Sequence, residues 1–333
     1  MAKNKTGNWK SLFIGAIVFA LLISGCGTKK PKTYQVGILY AVESQLTIFE
    51  SFKTQMTELG YIEGENIVYD AQQGPDTDQL QRIAKEFVDK KVDLILAFPD
   101  GAAVAAKEAT AGTDIPVIFA SSFSELNDLV ESVNAPGGNI TGVRVPGPEM
   151  TLLLQELLLE LQPDTQRIWA GYDPAYAPNQ LALETWRPEA AALGVTVVEV
   201  PVKSTEDVLA DLQTRGALDD IGIDAFLIMP DIVVRTPEAF AAIVAFGKEH
   251  KVPVVGGSTR MVPQGSILTV TTDQAEQGEF AAAMADQIFK GAKAGTIPVR
   301  TPDTLFVFNY KAAQEMGITV PDSLLRKADE VLR

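Results

Sequence analysis

Two stretches share one order of residues, and their reading decides the fold. The first is Val92-Asp93-Leu94-Ile95-Leu96-Ala97-Phe98-Pro99-Asp100, continued by Ile115-Pro116-Val117-Ile118-Phe119-Ala120-Ser121-Ser122. The second is Ile223-Asp224-Ala225-Phe226-Leu227-Ile228-Met229-Pro230-Asp231, continued by Val252-Pro253-Val254-Val255-Gly256-Gly257-Ser258-Thr259. Each apolar run is bounded by turn residues, as expected of a strand buried on both faces. A helical interval separates the two strands of each copy, so each copy reads as a βαβ unit with parallel strands. The copies lie too far apart for a solenoid repeat and fit two similar, Rossmann-like α/β lobes. Ligands of open parallel sheets sit outside the carboxyl ends of the strands. Asp100, Ser121, Asp231 and Ser258 all fall at such ends, so two facing lobes would form a cleft between matching polar tips.

Composition narrows the function. At 333 residues, 46% of them hydrophobic and 21% charged, the chain can fill two cores and is not a disordered polymer. Its formal net charge of −15 repels phosphate backbones, so nucleic acid is not an expected partner. One cysteine and one histidine cannot assemble a Cys/His zinc site or an internal disulfide, and no cofactor is expected.

The N-terminus reads as a targeting segment. Lys3, Lys5 and Lys10 precede an apolar run from Leu12 to Ile23 that is short for a membrane span. Leu22-Ile23-Ser24-Gly25-Cys26 then resembles a bacterial lipobox, with small residues before the only cysteine. Residues 1–25 are therefore expected to be a lipoprotein signal peptide, with lipidation on Cys26 and a tether over residues 26–34. Stable anchoring by two or three acyl chains follows from about 0.8 kcal/mol per buried CH₂.

Further along, strands are expected over Gln35–Tyr40, Glu65–Ala71, Ile140–Val143, Arg167–Gly171, Val195–Pro201, Ile267–Thr271 and Leu305–Phe308. Helical spacing marks Phe49, Phe52, Met56 and Leu59, then Leu80, Ile83, Ala84, Phe87 and Val88. Ser204 is the expected N-cap of a helix over Thr205–Arg215. Helices are also expected over Glu149–Leu161, Pro237–His250, Asp273–Lys290, Tyr310–Met316 and Pro321–Arg333. Pro146-Gly147-Pro148 breaks the pattern and suggests a crossing between lobes. The expected limits are 35–145 with 272–300 for the first lobe, and 146–271 with 301–333 for the second, joined by a three-crossing hinge.

The lipobox, the paired lobes and the late return of the chain resemble ABC-transporter substrate-binding lipoproteins of the type I periplasmic-binding fold. Phe52-Lys53, Glu58-Leu59-Gly60-Tyr61-Ile62-Glu63-Gly64-Glu65-Asn66-Ile67, Pro136-Gly137-Gly138-Asn139-Ile140-Thr141-Gly142-Val143 and Gln264-Gly265 look like signatures of a subfamily that includes tryptophan and phenylalanine binders. Phe123-Ser124-Glu125 stands where such proteins often carry Asp-Pro, and Pro99-Asp100-Gly101 where they tend to carry Thr-Pro-Ala. Both departures lie near the expected pocket, so the ligand does not carry over. The resemblance implies an extracytoplasmic, membrane-anchored monomer, on the periplasmic face in a diderm cell. It would pass a small-molecule ligand to an ABC permease and its ATPase.

The candidate ligand-binding residues are Ser44, Asp100, Gly101, Ser121, Ser122, Phe123, Asp173, Tyr176, Asn179, Asp231, Ser258, Met261 and Asp273. Asp100 and Asp231 read equally as helix caps and as ligand contacts. If two of Asp100, Asp231 and Asp273 reach the cleft, a ligand ammonium would relieve their repulsion, while the serine tips take a carboxylate. That favours an amino-acid-like ligand, aromatic if Phe123 and Tyr176 stack on it. Two other classes stay open: a ligand-sensing module of a membrane signalling receptor, and an enzyme using cleft carboxylates. Against the enzyme, no dinucleotide fingerprint, phosphate loop or nucleophile elbow is present.

Overall fold

Both copies of the repeated stretch form paired parallel strands. The computed structural model describes Met1 and residues 32–124 and 126–333. Residues 1–25, the lipobox and most of the tether thus fall almost entirely outside the described residues. The first sheet has five parallel strands in the order β2-β1-β3-β4-β5: β1 (Tyr34–Tyr40), β2 (Ile67–Gln73), β3 (Leu94–Phe98), β4 (Val117–Ser122) and β5 (Ile140–Arg144). The second has seven, in the order β12-β11-β10-β9-β8-β6-β7. These are β6 (Arg167–Tyr172), β7 (Thr196–Pro201), β8 (Ala225–Ile228), β9 (Val254–Gly256), β10 (Leu268–Thr272), β11 (Thr304–Asn309) and β12 (Glu330–Leu332). Among the described residues only the β10–β11 pair is antiparallel.

Helices cover both faces of each sheet, which is why the strands are apolar throughout rather than alternating. On the first sheet, α1 (Leu46–Glu58) packs on one face through Ile48, Phe52 and Met56. The opposite face receives α2 (Thr77–Asp89) through Leu80, Ile83 and Phe87, and α3 (Asp100–Ala109) through its alanines. On the second sheet, α4 (Gly147–Leu161) and α5 (Ala177–Ala192) share a face with α9 (Tyr310–Glu315) and α10 (Asp322–Lys327). The other face carries α6 (Thr205–Gly216) and α7 (Pro237–His250). Ser204 caps α6 in a capping box with Asp207.

The chain passes between the sheets three times: from β5 to α4, from β10 to α8 (Gln274–Phe289), and from Arg300 to β11. These segments run side by side. Across the first and third, Arg144 N–H donates to Arg300 O and Arg300 N–H to Gly142 O; across the second and third, Asp273 N–H donates to Asp303 O. Although it follows most of the second sheet in sequence, α8 packs on α1 and fills the first core with Ala281, Ala282, Met284 and Ala285. Contact there is backbone to backbone: a Cβ on Gly278 would strike Ile48 O and lie 2.7 Å from Phe52 N.

One expected element is corrected. The terminal helix stops at Lys327, because Ala328 turns to extended backbone (φ −71°, ψ 130°). Asp329 then bonds Phe306 through both its backbone N–H and its carboxylate, and β12 adds in parallel to β11.

Candidate functional site

The carboxyl ends of the central strands form two polar rims. The first-lobe rim starts with a single 3₁₀ turn, Glu43–Gln45, after β1. Asp100 opens α3 after β3, and Ser121-Ser122-Phe123 ends β4. Ser121 holds a left-handed φ of 52°, where the β4–β5 register breaks. Side chains rarely accept this conformation unless neighbours impose it. Here the turned backbone offers Ser121 Oγ to Gln45 Nε2 at 2.9 Å.

Asp100 is half-buried, and its Oδ1 accepts from Phe123 N–H at 2.8 Å and from Asn127 Nδ2 at 2.5 Å. Burial outweighs these bonds and lifts the carboxyl from 3.8 to about 6. Asp100 therefore ties the ends of β3 and β4 together while keeping a titratable group on the rim.

The second rim is built differently from the same Pro-Asp motif. Asp231 is 1% exposed. Its Oδ1 accepts from Val233 N–H (2.7 Å) and Val234 N–H (2.9 Å), and its Oδ2 from Asp173 N–H (2.8 Å) and Asn179 Nδ2 (2.5 Å). Four donors leave no lone-pair direction for a ligand, so the expected ammonium contact at Asp231 is corrected to a strut joining the β6 and β8 loops. Asp273 caps α8, its Oδ1 accepting from Ala275 and Glu276 N–H.

Other candidates divide in the same way. Ser122 is buried and donates to Ala120 O at 3.1 Å, and Met261 packs into the second core, so both are spent on structure. Phe123 leans on the hinge, where a Cβ on Gly147 would lie 2.6 Å from its Cε1. Asp173 turns its own loop by accepting from Ala175 N–H. Ser44 and Gly101 are exposed on the first rim. Ser258 is half-buried, and its carbonyl accepts from Met261 N–H in the turn after β9. Tyr176 is half-buried just before α5, its phenol raised first by burial and next by the Asp100 charge, with Arg235 opposing. A second-lobe side chain thus lies within electrostatic reach of a first-lobe carboxylate.

Three residues that the sequence did not single out belong to this region. Asn127 supports Asp100, and Gln45 supports Ser121. Arg235, in the β8–α7 loop, reaches the end of β9 and donates from Nη2 to Gly257 O at 3.1 Å. Its signal is an arginine following Val233-Val234, an apolar context in which a cation needs a reason. Among the described residues, five buried side-chain polar atoms lack a partner; Gln45 Oε1, Asn179 Oδ1 and Arg235 Nε are three of them. By contrast, a groove of about 680 Å³ lined by Tyr34, Asp93, Phe289 and Lys293 lies at the opposite, amino ends of the first-lobe strands.

Comparison with known proteins agrees with this architecture. The family described as ABC transporter substrate binding protein matches residues 35–332. A "Tyrosine-binding protein" of Clostridioides difficile (strain R20291) is 27% identical over 342 residues, covering 96% of each chain. A Streptococcus pneumonia ABC domain solved in complex with L-Trp is 28% identical, with TM-score 0.74 over 90% of this chain and 100% of that one. The ligand-free, open structure of a substrate binding protein with adhesive properties from Clostridium difficile has TM-score 0.76 at 24% identity, over 90% and 99% of the two chains. Such proteins bind solutes and are not enzymes. The sheet order, the three-crossing hinge and the match across residues 35–332 have one reading: the chain belongs to the ABC transporter substrate-binding protein family.

Proposed function

We propose that this protein is the extracytoplasmic receptor of an ABC importer and that it captures an amino acid, aromatic in side chain, between its two rims for delivery to a permease and ATPase. The observation that carries the ligand class is that a carboxylate, Asp100, and an aromatic ring, Tyr176, both stay partly exposed at strand ends, one on each rim. A flat ring over Tyr176 and an ammonium against Asp100 would be engaged together only when the lobes close. Stacking contributes about 0.5–1.5 kcal/mol beyond area burial. A charge-assisted hydrogen bond contributes about 1.5–3 kcal/mol. Both gain as closure excludes water and offset the ordering of the hinge. Ser121 and Ser258 are proposed as further contacts. The tyrosine-binding relative and the L-Trp complex support the aromatic choice.

Anchoring is proposed through acylated Cys26, supported by the lipobox around it. Lobe limits of 35–145 with 272–300, and 146–271 with 301–333, accord with where the chain crosses between sheets. A thermal-shift screen against amino acids, nucleosides, sugars and amines tests the ligand class. A ligand at 100 times its dissociation constant adds about 2.7 kcal/mol of stability. Stabilisation by tyrosine, tryptophan or phenylalanine is expected; stabilisation by a nucleoside or sugar alone would refute the reading.

A further inference from the structure

Arg235 is paired unlike the other partly buried arginines. Arg167, Arg187 and Arg215 each meet a carboxylate, at 2.9, 2.7 and 2.8 Å. Arg235 has no carboxylate within ion-pair distance among the described residues; its one hydrogen bond goes to Gly257 O, and its Nε is inaccessible and unpartnered. Asp231 attracts it electrostatically, but that carboxylate is saturated by four N–H donors. An unpaired buried charge is expensive, and arginine does not escape the cost by losing its proton. Desolvation pulls the guanidinium down to about 10, which leaves it cationic at neutral pH. Arg235 remains partly exposed at the mouth of β8 and β9, so a guanidinium without a carboxylate partner is open there to an anion that arrives from outside.

The same loop system holds the complementary acceptor. Asn179 must turn Nδ2 toward the Asp231 carboxylate, at 2.5 Å, so its Oδ1 is the amide end left over, buried and without a partner. A cationic fork, an unpartnered carbonyl oxygen and the Asp100 carboxylate across the cleft make a set with the polarity of a zwitterion's complement.

We propose that Arg235 is the carboxylate receptor of the cleft and that Asn179 Oδ1 shares the ligand's ammonium with Asp100, so that the protein selects free α-amino acids over amines and carboxyl esters. This rests on the solute-receptor reading above and adds the group that sets specificity. The guanidinium fork matches a carboxylate in two parallel hydrogen bonds, whereas an amine or ester leaves the charge buried and unmatched. Selection against those analogues therefore comes from the cost of the stranded arginine as much as from the hydrogen bonds a carboxylate makes.

Calorimetry on the full chain in detergent decides it, with L-tyrosine, L-phenylalanine and L-tryptophan, their decarboxylated amines tyramine, phenethylamine and tryptamine, and the three methyl esters. The wild type is expected to bind at least one acid roughly 100-fold more tightly than its amine or ester, the order for losing a charge-assisted pair. Arg235→Gln should close that gap by weakening the acid alone, and Arg235→Lys should restore part of it. Equal binding of acid, amine and ester by the wild type overturns the inference, as does an Arg235→Gln variant that keeps the acid affinity. The analogue series needs no variant, so the answer stands even if Arg235→Gln does not fold. Failure of the wild type to bind any amino acid, amine or ester overturns the amino-acid reading itself and the inference with it.

Discussion

Replacing Asp231 with asparagine separates a strut from a ligand contact. In the wild type, Oδ1 serves Val233 and Val234 N–H while Oδ2 serves Asp173 N–H and Asn179 Nδ2, in a site 1% exposed. Asparagine keeps one oxygen and turns an NH₂ toward the other two donors. Two donors are then stranded, at about 1–3 kcal/mol for each unsatisfied buried group. Asn179 can flip its amide and present Oδ1 to the new NH₂, which removes one of the two losses. The expected cost is therefore about 1–3 kcal/mol, large for a single atom exchange. Urea unfolding followed by circular dichroism should show a lower midpoint at unchanged slope. The melting temperature should fall by about 2–4 °C for each kcal/mol lost. If Asp231→Asn unfolds within about 0.5 kcal/mol of wild type while ligand affinity drops, Asp231 serves the ligand and the strut argument is wrong.

Three further outcomes are expected. Because burial lifts Asp100 from 3.8 to about 6, the folded chain keeps a proton that the unfolded chain releases. Stability contributed at this site therefore falls as pH rises through that window and stays lost above it, so Asp100→Asn should gain on wild type between about pH 4 and pH 7, and a flat difference would contradict the burial. Gly278→Ala forces a Cβ into Ile48 O of α1 and should cost about 1–3 kcal/mol by the same unfolding assay; an unchanged midpoint would contradict the α1–α8 packing. Cys26→Ser should move the protein from the membrane to the soluble fraction, and a wild-type mass retaining an unmodified Cys26 within the unprocessed chain would contradict lipidation.

The paired parallel strands of each lobe were legible because burial on both faces leaves an unmistakable signature: apolar runs such as Leu94–Phe98 and Ala225–Ile228, each followed by Pro-Asp. The helix that starts after Asp273 was legible from its spacing, and its return to the first lobe from the resemblance, in which the chain comes back late. Strand β12 was not, because Glu330–Leu332 is too short to show a period, and its pairing depends on Asp329 meeting a distant Phe306. Within the site, position was readable and role was not. Asp100 and Asp231 occupy equivalent tips, yet one stays on the rim with a raised pKa and the other is consumed by four donors. That difference comes from where Asn127, Asn179 and the β6 loop fall in space, which strand spacing does not encode. Arg235 carried a signal in its apolar context, but its role was not readable for the same reason: that role lies in the carboxylate it lacks.

The central claim is that the ligand bridges two rims, and a crystal structure of the protein grown with L-tyrosine, L-tryptophan or L-phenylalanine tests it most directly. The account predicts ligand density between the lobes, bounded by Asp100 on one side and by Tyr176 and Arg235 on the other, with the carboxylate on the guanidinium. Density confined to one lobe, or seated in the groove beside Tyr34 and Phe289 at the amino ends of the first-lobe strands, would contradict it.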